Sequence, residues 1–184
     1  TMLGDTAVAI HPTDQRYKKF HGKFVVHPFS GKRIPIVTDD ILVDKTKGTG
    51  CVKITPAHDE NDFKCGERHK LECVNIFTDS GHINENGGDD FKGMFRYDAR
   101  IEIEKRLTDM GLYRGTESKE MVIGRCSRSK DVIEPLLKPQ WWVDTSEMAE
   151  RSMQAVRDGS LKLIPNDHEH TWFEFLGRKM PWCI

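Results

Sequence analysis

Gly48-Thr49-Gly50-Cys51-Val52-Lys53-Ile54-Thr55-Pro56-Ala57-His58-Asp59-Glu60-Asn61-Asp62 reads as a glycine turn, a strand, and a corner into a helix. Gly48 and Gly50 permit backbone geometry and close approach that a side chain would block. Val52 to Thr55 alternates apolar and polar residues as a half-buried strand does, which puts Lys53 and Thr55 on one face. Pro56 cannot extend the ladder and pre-sets a helical φ, so Thr55 is expected to cap a short helix whose first turn carries His58, Asp59 and Asp62. An ammonium, hydroxyls, a histidine and two carboxylates then converge beside glycines, a polar pocket suited to a small zwitterionic or amino-bearing ligand. The same acidic first turn, followed by Lys64, Arg68 and Lys70, is also what the helix dipole favours in a helix with no further role.

Outward from this corner, β-type runs recur at Ala7–Ile10, Phe24–His27, Ile34–Thr38, Ile41–Val43, Cys51–Thr55 and Cys73–Phe77, separated by Pro, Gly, Asp and Ser clusters. They predict an α+β fold with a β-barrel-like or strongly curved mixed sheet as its core and helices around it. One helix is expected with Ala99, Ile103, Leu107 and Met110 on a single stripe, stopped by Gly111. A second is capped near Asp144 to Ser146, turns Met148, Ala149, Ser152, Met153 and Val156 inward, and stops at Gly159. The polar, glycine-rich residues 79–90 read as a mobile loop. From about Lys138 the tryptophans at 141, 142, 172 and 182 change the texture of the chain, so residues 1–137 form the core and 138–184 a C-terminal segment packed on it.

With 28 basic and 29 acidic residues the net charge is -1, so bulk electrostatics do not announce a nucleic-acid binder. Local basic clusters (Lys18, Lys19 and Lys23; Lys32 and Arg33; Arg125, Arg128 and Lys130) suit phosphate contacts as well as an ordinary solvated surface. No apolar run approaches the roughly 20 residues that span a bilayer, and the N-terminus is not a signal peptide, so no membrane is expected. Five scattered cysteines suit free thiols in a reducing compartment.

His168-Glu169-His170 and the set Cys65, His69, Cys73 lack the paired spacing of a strong zinc motif, and no metal is assigned. Thr1 invites an N-terminal-threonine hydrolase reading. No phosphate loop or dinucleotide fingerprint occurs.

Thr1-Met2-Leu3-Gly4-Asp5, Ala9-Ile10-His11-Pro12, Gly48-Thr49-Gly50 and Lys53 through Asp62 resemble, in order and spacing, the editing domain of valyl-tRNA synthetases. The likeness continues through Glu134-Pro135-Leu136-Leu137-Lys138-Pro139-Gln140-Trp141-Trp142 and Trp182-Cys183-Ile184. The Lys53-x-Thr55 pair is what leucyl and isoleucyl relatives usually lack. Some relatives carry Cys-x-x-Cys where this chain reads Cys126-Ser127-Arg128-Ser129, so the second thiol is missing. In the family the first segment follows Arg-Pro-Glu and the last runs on into Ser-Arg-Gln, and the chain resembles an insert cut from a larger ligase.

The resemblance implies an aminoacyl-tRNA deacylase that hydrolyses the ester of threonine mischarged onto tRNA(Val), using bound water. Lys53, Thr55 and Asp59 would read the threonine hydroxyl, and Asp62 would pair with the substrate ammonium. Thr1, His58 and Gly50 would complete the pocket, His58 by orienting Asp62 or water. The family's pocket arginine lies upstream of Thr1. The domain itself would need no cofactor, ATP and magnesium serving the synthetic domain. Its partners would be the tRNA 3' end and the rest of the synthetase chain, the fragment itself being monomeric. Its place would be the cytoplasm, with a mitochondrial parent left open. A tRNA-positioning insert without catalysis and a metal-dependent hydrolase are the rival readings beside the N-terminal threonine.

Overall fold

A computed structural model of the chain describes every residue except Lys119 and Lys179. Two compact units emerge, Thr1–Leu137 and Lys138–Ile184. The first is α+β. Its sheet joins β1 (Ala7–Ile10), β2 (Phe24–Val26), β3 (Arg33–Thr38) and β4 (Cys51–Ile54) in the order β2-β3-β1-β4. The strand β1 runs parallel to β3, pairing Val8 with Ile36, and antiparallel to β4, pairing Ala7 with Ile54. Pro35 is tolerated inside β3 because Ile36 N–H donates to Lys23 C=O, which turns the proline nitrogen toward the opposite edge, where pairing with β1 starts only at Ile36.

The sheet is open, not the barrel-like closure expected from the run of short strands: β2 and β4 remain edges. Two of the anticipated strands are absent for identifiable reasons. At Ile41–Val43 the carboxylate of Asp39 accepts from Ile41 N–H at 3.1 Å and Leu42 N–H at 2.8 Å, closing a turn. Along Cys73–Phe77 backbone pairing shrinks to the bridge of Phe77 with Ile83 and the Asn84 N–H donating to Ile76 C=O, and side chains take the other carbonyls, Asn84 Nδ2 donating to Asn75 and Phe77 and Asn86 Nδ2 to Asn75. Residues 79–90 are likewise built in: Ile83 bridges to Phe77 and sits 3% exposed in the core.

Helix α1 (Glu60–His69) is capped by Asp59, whose Oδ1 accepts from Asn61 N–H at 2.8 Å and Asp62 N–H at 3.1 Å, so the cap lies four residues beyond the expected Thr55. Asp59→Ala should therefore cost about 1 kcal/mol, measurable as a lower unfolding midpoint in urea; an unchanged midpoint would show that the cap is dispensable. Helix α2 (Arg96–Asp109) has Gly111 beyond its end at φ 69°, buries Ala99 and half-buries Ile103, but leaves Met110 exposed. One apolar cluster gathers Leu3, Ile76, Phe77, Ile83, Phe91 and Ala99, and another Ala7, Ala9, Val43, Ile54 and Cys65. Gly4 lies in the chain between them, where a Cβ would come within 2.9 Å of the Val74 carbonyl oxygen and 3.3 Å of Thr55 Cγ2. Only glycine lets the N-terminal segment lie this close to Thr55.

The second unit pairs β5 (Trp142–Val143) with β6 (Trp182–Cys183) and packs α3 (Ser146–Arg157) on α4 (His168–Gly177). Asp144 Oδ1 accepts from Ser146 N–H at 2.9 Å at the start of α3. Ala149, Met153 and Val156 turn inward as expected, whereas Met148 is exposed. Trp141, Trp142 and Trp182 are exposed. Among the described residues, no helix is long and apolar enough to cross a membrane.

Candidate functional site

At the end of β4 the structure brings together Lys53, Thr55 and Asp62, with a fourth group the sequence did not single out. Lys53 Nζ donates to Thr55 Oγ1 at 3.0 Å, and Thr55 Oγ1 donates to Asp5 Oδ1 at 2.5 Å. Thr55 N–H donates to Asp62 Oδ2 at 2.9 Å, and Lys53 Nζ lies 3.9 Å from the same oxygen. Antiparallel pairing of Ala7 with Ile54, extended by Thr6 N–H donating to Ile54 C=O, is what carries Asp5 to Thr55. Thr55 has no exposure and Asp62 only 6%. Lys53 is half exposed and is the member of the group that reaches a cavity of about 290 Å³, lined also by Thr1, Ile76, Arg96, Arg100 and Glu134.

Burial pushes the Asp5 carboxyl up to about 6, against the pull of the Thr55 hydroxyl and of Lys53. Burial also raises Asp62, opposed by the Thr55 N–H and Lys53. Two carboxyls held above their ordinary range beside one ammonium form a site whose charge responds to what enters it.

Three of the expected residues are placed elsewhere. Asp59 spends its carboxylate on the helix cap, so its contribution is to orient the turn that presents Asp62. Gly50 lies beyond the far end of β4, about 16 Å from Thr55 at some 3.3 Å per residue; a Cβ there would meet Arg16 Nη2 and Asp14 Oδ2. His58 orients neither Asp62 nor water through these bonds: its Nε2 accepts from Ile76 N–H at 3.1 Å, so its Nδ1 carries the proton toward Pro135 C=O at 3.3 Å. The ring is a buried clamp, and burial lowers its pKa.

Among the described residues, one group is spaced for a cation: Asp39, Cys65 and His69, whose ligand atoms all lie within 4.8 Å of one another. Cys73 is not part of it, and His168, Glu169 and His170 fall in the first turn of α4. Arg68 occupies Asp39 Oδ2 with bonds of 3.0 and 2.7 Å. The Cys65 thiol is pushed up to about 12 by burial and by Asp39, the opposite of a ready ligand. This cluster anchors α1 to the turn after β3.

Residues 6–122 match the family described as the leucyl-tRNA synthetase editing domain. The chain belongs to that family. Along its whole length it is similar to valine–tRNA ligases: it is 54% identical over 184 residues to the mitochondrial enzyme of Saccharomyces cerevisiae, 54% over 187 residues to a mitochondrial enzyme of Arabidopsis thaliana, and 50% over 184 residues to the enzyme of Schizosaccharomyces pombe. The chain spans 17% to 19% of the length of these relatives.

Proposed function

We propose that this domain removes threonine esterified to tRNA(Val), with a bound water as nucleophile. An apolar valine pocket cannot strongly reject an isostere that adds a hydroxyl, valine against threonine being the standard illustration of that rule, so a second site has to do so. The observation that carries the reading is the Lys53–Thr55–Asp62 group, whose Lys53 lines a cavity while Thr55 and Asp62 lie buried behind it. Lys53 offers a donor to the threonine hydroxyl, and the isosteric valine methyl would leave that donor without a partner. Asp62 takes the substrate ammonium and thereby fixes the ester carbonyl. An aminoacyl ester is already activated, so orientation and an aligned water supply most of the acceleration. Thr1 and Arg100, at the rim of the same cavity, face the terminal nucleotide.

On this reading the domain needs no metal or cofactor of its own, works within the longer synthetase chain as a monomeric module, and receives the tRNA 3' end. Two of these three relatives are named mitochondrial and the third carries no compartment in its name, which extends the proposed location from the cytoplasm to the mitochondrion. The test is deacylation of Thr-tRNA(Val) by the full-length synthetase with and without Asp62→Ala. Equal rates would refute it.

A further inference from the structure

Asp5 is a half-buried carboxylate with no role in the reading above, and the hydrogen-bond directions around it are constrained. Lys53 has only protons to give, so Thr55 Oγ1 must accept from it at 3.0 Å and direct its single proton elsewhere. That proton goes to Asp5 Oδ1 at 2.5 Å. Thr55 has no exposure, so water does not compete for the bond. The chain of bonds therefore runs one way, from Lys53 through Thr55 to Asp5, and it ends on an acceptor.

We propose that Asp5 is a positioning residue of the editing site: as terminal acceptor it fixes the Thr55 hydroxyl, which holds the Lys53 ammonium at the cavity edge beside Asp62. The inference rests on the deacylase reading. Its consequence is directional. When Asp5 takes a proton, its bond from Thr55 Oγ1 loses its charge assistance and only a neutral acceptor oxygen is left, so Thr55 and the ammonium are held less tightly. The charged groups facing Asp5 are Lys53 and Asp62 from β4 and α1 and, around a second cavity that Asp5 lines, Lys32, Arg33, Lys70 and Glu72. Burial dominates over all of them and sets the protonation near pH 6. Because the folded value is raised above 3.8, the ionised form is the costly one: the stability Asp5 contributes is fully present below pH 3.8 and is lost as pH rises through about 6. Replacing Asp5 by asparagine removes that cost at neutral pH while keeping an oxygen acceptor.

The experiment is steady-state deacylation of Thr-tRNA(Val) by the full-length synthetase between about pH 5 and 8, corrected for spontaneous hydrolysis. Asp5→Ala should lower kcat about tenfold with KM nearly constant. Asp5→Asn, a neutral acceptor at every pH, should recover only part of that loss and lack the fall in rate expected of the wild type on acidification through about pH 6. Asp5→Ala with wild-type kcat, or Asp5→Asn with the wild-type pH profile, would overturn the proposal. If Asp62→Ala deacylates as fast as the wild type, the site itself is misassigned and both readings fall; if Asp62→Ala is inactive while Asp5→Ala is unaffected, only the role of Asp5 falls.

Discussion

Asp62→Ala in the full-length synthetase is expected to lower deacylation of Thr-tRNA(Val) about a hundredfold, the scale on which loss of substrate alignment is felt, while valine activation continues and Thr-tRNA(Val) accumulates. The carboxylate does two things that the substitution removes together. It accepts from the buried Thr55 N–H at 2.9 Å, and it balances Lys53 at 3.9 Å. Leaving the Thr55 N–H unpaired costs about 1–3 kcal/mol of stability, which would confuse the reading of a single variant. Asp62→Asn separates the two effects, because its carbonyl oxygen can still accept from Thr55 while no charge remains for an ammonium. The account expects Asp62→Asn to unfold at the wild-type midpoint and still to deacylate about a hundredfold more slowly.

The second large effect is expected at Thr55. Thr55→Val keeps volume and branching but removes the oxygen that joins Lys53 to Asp5. Two polar groups lose a partner at a position with no exposure, so stability should fall by about 1–3 kcal/mol. Deacylation of Thr-tRNA(Val) should drop about tenfold or more, and the preference for threonyl over valyl esters should narrow because Lys53 is no longer held. Parallel measurement of both esters checks this. A variant that loses rate on both esters equally would assign Thr55 to the fold alone.

The corner itself was legible from local pattern. Alternation from Val52 placed Lys53 and Thr55 on one face, and the three-residue spacing of Asp59 and Asp62 placed both in one helical turn. What local pattern does not carry is which carboxylate is free to act. Asp59 is the better cap because its extended backbone, φ -146°, directs its oxygen at the N–H groups of Asn61 and Asp62, whereas Thr55 is committed to Asp5. Asp5 left no signal in spacing, since 50 residues separate it from Thr55 and only the pairing of β1 with β4 joins them. Gly50 was drawn into the pocket by its neighbours in sequence, but a strand of this length carries its two ends far apart. The sheet was overread for a related reason: Ile41–Val43 and Cys73–Phe77 have strand composition, but the side chains of Asp39, Asn84 and Asn86 satisfy the backbone that a ladder would need.

The central claim is that one cavity holds a charged amine against Asp62 and tells an alcohol from a methyl through Lys53 and Thr55. Calorimetric titration of the full-length synthetase with non-hydrolysable threonyl- and valyl-adenosine analogues tests this most directly. The account predicts that the threonyl analogue binds about tenfold or more tightly than the valyl one, and that this preference disappears in Asp62→Ala. Equal affinity for the two analogues, or a threonyl preference that survives Asp62→Ala, would contradict it.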